Sequence, residues 1–220
     1  MAEIYIIDNI RLNKHGLQTK DANGSWIDLH CQQGTLDGAC AVYSAVMALL
    51  CLNYLSKEDI DIWNKKSPDR RTAKGKFICH LLDEQGLLRD GYRMREMAFE
   101  LKKLLKNYAV ENISIPNSIY VAKEYIEAGF PVILSVGNES FCHAILAIGT
   151  EYEGEVNNER LLKLFCLDPA YGITKSAYWN CVIDTSRNNH GDYPFTYITE
   201  GDVCRVKINE LITIDRNEYV

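Results

Sequence analysis

The apolar residues change their spacing near the middle of the chain, and no other feature narrows the possible folds as much. Ahead of Gly129 they recur mostly at helical intervals; from Pro131 onward they fall in short β-rich runs divided by turn residues. Helices are predicted from about Gly38 to Leu55, from Lys76 to Leu88 and from Arg93 to Asn107. Ser56 and Asp59 open a further short helix as a capping box, and another starts at Asn117 or Ser118 and ends with Gly129 in the C′ position. Strands are predicted over Pro131 to Val136, Phe141 to Tyr152, Leu161 to Leu167, Ala177 to Ile183 and Val203 to Ile208, with Asp184 to Tyr193 a surface loop. Two earlier extended stretches, Glu3 to Leu12 and Trp26 to His30, precede the helices. Helices first and antiparallel strands second make an α+β class.

A chain of 220 residues with 47% hydrophobic content can bury a core of its own, so one domain is expected over 1–220. Its helical lobe should span about 31–130, and its β lobe about 131–215 plus the N-terminal strand. The 24 basic against 30 acidic residues leave a charge of −6, and no Lys/Arg cluster carries interleaved aromatics, which argues against a nucleic-acid partner. The run Glu100 to Lys106, with three lysines, reads as a solvated helix face. No membrane is implied, because the longest apolar runs, such as Ala39 to Leu52, are too short to span a bilayer. The start lacks the basic segment and small-residue cleavage site of a signal peptide, so a cytoplasmic location is expected. Eight cysteines in such a chain do not read as a disulfide framework, and no pair has the C-x-x-C spacing of a zinc or redox motif. Cys51, Cys166, Cys181 and Cys204 lie in apolar runs and read as buried thiols.

Cys40 differs from the others by its position. It lies in Asp37-Gly38-Ala39-Cys40-Ala41, in the first turn of the long predicted helix, with Asp37 as the expected N-cap. Unpaired N–H groups and the macrodipole at a helix N-terminus favour a thiolate over a thiol, and the thiolate is the nucleophile. The helix then runs Val42 to Leu50, apolar on nearly every side, as a buried central helix would. A cysteine in a first helical turn also serves simply as a small packing residue, so Cys40 needs a base.

His143 is the candidate base. It sits in Phe141 to Gly149, which reads as an interior strand, whereas His15 and His190 lie beside glycine in polar loops. A satisfied core histidine is the competing reading. If Tyr152 faces Glu159 across the following turn, the same register sets His143 opposite Asp168. Facing residues of an antiparallel pair share a side of the sheet at roughly 5 Å between Cβ atoms. A carboxylate there can orient the imidazole and stabilise its charged form. Cys79 and His80 are adjacent on a helix and point different ways, so a metal site is not indicated.

The order Cys40, His143, Asp168 resembles the papain-like cysteine peptidase superfamily, and is most similar to its bacterial branch related to bacteriocin leader-processing peptidases. The matching pieces are Gln32-Gln33 followed by Gly38-Ala39-Cys40, the run His143 to Gly149, and Leu167-Asp168-Pro169-Ala170. The resemblance implies a papain-like fold whose central helix carries the cysteine and packs on a C-terminal antiparallel sheet. It implies attack on the amide carbonyl of a peptide or protein substrate, an acyl-thioester, and hydrolysis without a metal or organic cofactor. It also implies a glutamine donor to the oxyanion, here Gln33, with Gln32 as the alternative. Two departures stand out: Gln33 is one residue further from the cysteine than the family's spacing, and Ala41 replaces the usual glycine. Acyl transfer by the same three residues, as in transglutaminases and arylamine acetyltransferases, stays open, as does a non-catalytic descendant that binds a peptide. Trp179 is a candidate shield for the His–Asp pair.

Overall fold

Tight turns break up the N-terminal segment. The computed structural model describes residues 2–34, 38–61, 68–83, 91–115, 118–154, 159–187 and 191–216. Where a single strand from Glu3 to Leu12 is expected, the chain forms β1 (Ala2–Ile6) and β2 (Ile10–Asn13), then β3 (Gly16–Lys20) and β4 (Trp26–Asp28). The break is a turn at Asp8 and Asn9, and a second turn, at Lys14 and His15, joins β2 to β3. Asn13 bonds through its side chain to the backbone N–H of His15, and Gly16 takes φ 112°, a conformation that spares only glycine from strain. β2, β3 and β4 make a small antiparallel sheet, while β1 joins the larger one.

The helices follow the apolar periodicity closely. α1 (Cys40–Cys51) buries Ala41, Ser44, Ala45 and the run Met47 to Cys51, as expected of a central helix. Its N-cap residue is Ala39, without a side-chain cap; the expected cap Asp37 lies outside the described residues. α2 (Lys57–Ile60) opens with the expected capping box: Ser56 Oγ accepts from the Asp59 N–H, and Asp59 Oδ2 accepts from the Ser56 N–H at 2.8 Å. α3 (Ala73–Asp83) and α4 (Met94–Leu104) come next, the expected end of α3 at Leu88 falling outside the described residues. Unforeseen in the helical half, β5 (Tyr108–Ile113) follows α4. α5 (Ile119–Glu127) then stops at Gly129, whose φ of 89° makes it the C′ residue. No helix among the described residues is long and apolar enough to cross a membrane.

Six strands after Gly129 close into a barrel, which corrects the expected sheet. They are β6 (Val132–Gly137), β7 (Cys142–Glu153), β8 (Arg160–Leu167), β9 (Cys181–Asp184), β10 (Phe195–Thr199) and β11 (Val203–Arg216). Neighbours run β7-β6-β11-β10-β9-β8, all antiparallel, and β8 pairs back onto β7. The fold is thus a mixed α and β one with more strand than the sequence suggests. β7 and β11, of 12 and 14 residues, are long enough to exchange one neighbour for another along their length. β1 pairs the far end of β7 and β5 the far end of β11. β7 is buried on both faces from Ala144 to Thr150, with the barrel core on one side and α1 and α5 against the other. α1 therefore lies across the strand whose second residue is His143.

Candidate active site

Strand register decides where His143 looks. β7 and β8 pair Leu146 with Leu167 and Ala147 with Cys166, two residues away from the register expected from the turn. The difference arises at the turn, where Tyr152 faces Leu161 and not Glu159; the irregularities at Ala147/Gly149 and Glu151/Tyr152 offset each other. Since side chains alternate with period two, an offset of two preserves the face. His143 is then the diagonal neighbour of Asp168 instead of its direct partner, still within reach of a long side chain. The contact forms: His143 Nε2 lies 2.6 Å from Asp168 Oδ1.

Because β8 ends at Leu167, the first residues of β7 have no strand partner on that side. Backbone groups on such an edge must be satisfied in another way. Helix α1 does so. The Ala144 N–H donates to Cys40 Sγ at 3.4 Å, and Ser44 Oγ, one turn further along, donates to the Ala144 carbonyl at 3.2 Å. Ser44 is fully buried, so this bond fixes the helix against the strand and sets Cys40 beside His143. With Nε2 taken by Asp168, Nδ1 is the ring nitrogen left to act on the Cys40 sulfur.

Two opposing effects act on the thiol. Burial alone would raise its pKa, but the His143 bond and charge, with the Ala144 and Ala41 N–H groups, bring it below the ordinary thiol value. Burial likewise works against a charged imidazole, yet the Asp168 carboxylate and the Cys40 sulfur outweigh it and raise His143 to about 10. Both shifts favour the thiolate–imidazolium pair. Elsewhere burial pushes Cys31 up to about 11, and Cys51, Cys181 and Cys204 also upward. All eight cysteines are free thiols.

Asp168 is fully buried and held from several sides. Oδ1 also accepts the Ala170 N–H at 2.7 Å, a turn prepared by Pro169 between them. Oδ2 accepts the hydroxyl of Tyr197. Asn180 clamps the backbone: its Oδ1 accepts the Asp168 N–H at 2.6 Å, and its Nδ2 donates to the carbonyls of Asp168 and Tyr171 at 2.8 and 2.9 Å. The Asp168 carbonyl also lies 3.0 Å from His30 Nε2. Burial lowers the pKa of His30, as suits a neutral ring donating from that nitrogen. Sequence reasoning missed Tyr197 and Asn180. The alternation of Phe195 and Tyr197 with threonines was a signal for β10, but nothing local marks Asn180.

Cys40 and His143 open onto a cleft of about 380 Å³. Tyr92, Arg93 and Arg95 wall it on the helical side, and Ser135 and Glu210 on the barrel side. Glu210 follows an irregularity in β11 and is held by Asn112 Nδ2 at 2.9 Å. Gln33 is not among the lining residues. Its backbone N–H donates to the Pro169 carbonyl at 2.8 Å, tying its segment to the Asp168 turn, while its side-chain oxygen is buried without a hydrogen-bond partner. Gln32 is exposed. Trp179 stacks on Phe165 with ring centroids 3.9 Å apart. Among the described residues no three His, Cys, Asp or Glu side chains gather as a metal-binding set.

No protein-family model matches the chain, and no curated protein matches it. Among solved structures it is similar to UfSP from C. elegans, at a TM-score of 0.45 and 14% sequence identity. That similarity covers 98% of this chain and 34% of the UfSP chain, so this chain spans about a third of that protein's length.

Proposed function

We propose that the chain is a cysteine peptidase that cleaves a peptide or isopeptide bond in a peptide or protein substrate. In this reading the whole chain acts as one papain-like unit in the cytoplasm, with Cys40 as nucleophile, His143 as general acid and base, and Asp168 as the group that orients the imidazole. One observation carries it: His143 meets the Asp168 carboxylate at 2.6 Å and opens onto the same cleft as the Cys40 sulfur, which the neighbouring Ala144 N–H holds in place. The thiolate adds to the carbonyl carbon, and the negative charge moves to the oxygen beside the N-terminal end of α1. As the C–N bond breaks, the imidazolium gives its proton to the leaving nitrogen, and a thioester links the acyl group to Cys40. Water, deprotonated by His143, then attacks the thioester and frees the thiol. Its acid product and amine account for all atoms without a cofactor. The paired residues Cys166 and Cys181, both buried thiols, suit a reducing compartment.

A chloroacetamide or vinyl-ketone probe tests the reading directly. Mass spectrometry of protein labelled at neutral pH should find the modification at Cys40 ahead of the other seven cysteines, including exposed Cys142. Labelling spread by exposure alone, with Cys142 first, counts against an activated thiol.

The glutamine is a separate matter. Gln33 is the side-chain donor this reading assigns to the oxyanion, its amide turning from the Pro169 side towards the sulfur. An oxyanion donor acts on the tetrahedral intermediate and leaves the thiolate alone. Gln33→Ala should therefore lower kcat of hydrolysis by roughly 10²-fold while the rate of Cys40 alkylation stays put. A fall in alkylation as well would mean that Gln33 supports the loop and does not touch the reaction.

A further inference from the structure

Tyr197 lies outside the three residues that the chemistry names, on a strand with no obvious part in it. We infer that Tyr197 is a positioning residue of this site: its hydroxyl holds the Asp168 carboxylate in the orientation that keeps His143 on the Cys40 sulfur. The inference rests on the peptidase reading.

The donors around Asp168 carry the argument. A fully buried carboxylate needs donors on both oxygens, because an unpaired charged oxygen away from water is costly. Oδ1 has two, the His143 ring and the Ala170 N–H. For Oδ2 the donor among the described residues is the Tyr197 hydroxyl. Charge-assisted bonds of this kind are about twice as strong as neutral ones. They also fix the rotation of the carboxylate plane, and with it the direction of Oδ1 towards the imidazole.

The fold leaves Tyr197 little freedom to do anything else. Its backbone lies between two neighbours, facing Cys204 on β11 and Ile183 on β9, so the Cα cannot drift. The side chain is 4% exposed, and its ring packs against Phe141 at 6.5 Å between centroids. Phe141 itself lies two residues before His143. The hydroxyl thus touches Asp168 and the ring touches the segment that leads into His143.

Without the hydroxyl, Oδ2 keeps no donor among the described residues. The carboxylate then turns off the imidazole or gives up its charge, and either change weakens the hold on a protonated His143. Cys40 loses stabilisation in turn, since the His143 bond and charge are what offset the burial of the sulfur.

Tyr197→Phe removes one oxygen and keeps the ring. Two midpoints are read: Cys40 ionisation, from the pH dependence of iodoacetamide alkylation, and His143 deprotonation, from its ring resonances by NMR. The Cys40 midpoint should rise towards that of a free thiol and the His143 midpoint should fall, with alkylation at pH 7 down roughly tenfold to a hundredfold. A role in packing alone predicts a lower unfolding temperature with both midpoints unmoved, and that result overturns the inference. The unsubstituted protein offers a check that no folding failure can obscure. The Tyr197 hydroxyl proton should give a slowly exchanging downfield resonance that moves when Cys40 is alkylated; a freely exchanging hydroxyl contradicts the bond. The two ideas fail separately. If the native protein alkylates no faster than His143→Ala protein, the peptidase reading has failed; if it does alkylate faster and Tyr197→Phe matches it in both midpoints, only the role of Tyr197 has.

Discussion

Replacing His143 with alanine lowers peptide-bond hydrolysis by roughly 10³- to 10⁴-fold. The reason lies in the balance around the sulfur. Burial is the largest influence on Cys40 and opposes ionisation; the imidazole's bond and charge are what reverse its sign. Once the imidazole is gone, the N–H groups of Ala41 and Ala144 remain, but burial is no longer offset by a cation. The thiol's pKa then rises, and at pH 7 a smaller fraction of the molecules carries the thiolate. The leaving nitrogen loses its proton donor as well, which multiplies the loss in hydrolysis beyond that in alkylation. Asp168 keeps the Ala170 N–H and the Tyr197 hydroxyl, so the substitution leaves the carboxylate partnered and the fold in place. The measurement is a pair of rates, alkylation of Cys40 and hydrolysis of a peptide substrate, each against pH. Alkylation of the variant at the native rate near neutral pH would remove the basis for calling His143 a base.

Asp168→Asn has the next largest effect, and its size follows from counting donors. All three groups that meet the carboxylate oxygens donate: the His143 ring, the Ala170 N–H and the Tyr197 hydroxyl. An asparagine must turn its NH₂ towards one of them. At the Oδ1 position it would confront two donors, whereas at Oδ2 it meets a hydroxyl that can reverse and accept. The second orientation wins. His143 therefore keeps its tautomer and its place, and what disappears is the negative charge. Charge from Asp168 helps raise His143 to about 10, and hydrolysis needs His143 protonated, so the native activity persists until the pH climbs through that value. In the variant the proton leaves at a lower pH and the alkaline limb moves down. The acid limb moves up, because Cys40 loses part of its counter-charge. A narrowed pH–rate profile is expected, with the rate at its optimum down roughly 10- to 10³-fold. An alkaline limb that stays where it was would contradict the assignment of Asp168.

Local chemistry made much of this arrangement legible in the chain. The capping box at Ser56 and Asp59, the stop at Gly129 and the all-round apolar helix after Cys40 each depend on residues within a few positions, and all three lie where the spacing puts them. The juxtaposition of His143 with Asp168 survived an error of two in strand register, because a shift of two returns a side chain to the same face. A shift of one would have turned His143 away. The pairing of β7 with β8 was expected, but barrel closure was not legible, since it runs from β9 to β11 through β10, whose five residues follow an irregular loop. Tyr197 was hidden for the same reason. Its partner is 29 residues away, and no pattern within β10 names it. Gln33 shows the opposite limit: the resemblance implied a role for it despite a spacing one residue too long, and its backbone tie to Pro169 holds the segment at the Asp168 end of the site.

The Ala144 N–H that meets Cys40 is 104 positions along the chain from it, and Tyr197 comes later still. Contacts so distant in sequence form late, after loop entropy has been overcome and the ring of strands has joined end to end. A half-made or half-unfolded molecule therefore carries an ordinary, sluggish sulfhydryl. On the peptidase reading, potency arrives only with the finished architecture, so a nascent copy on its way to that state has no means of attacking its neighbours.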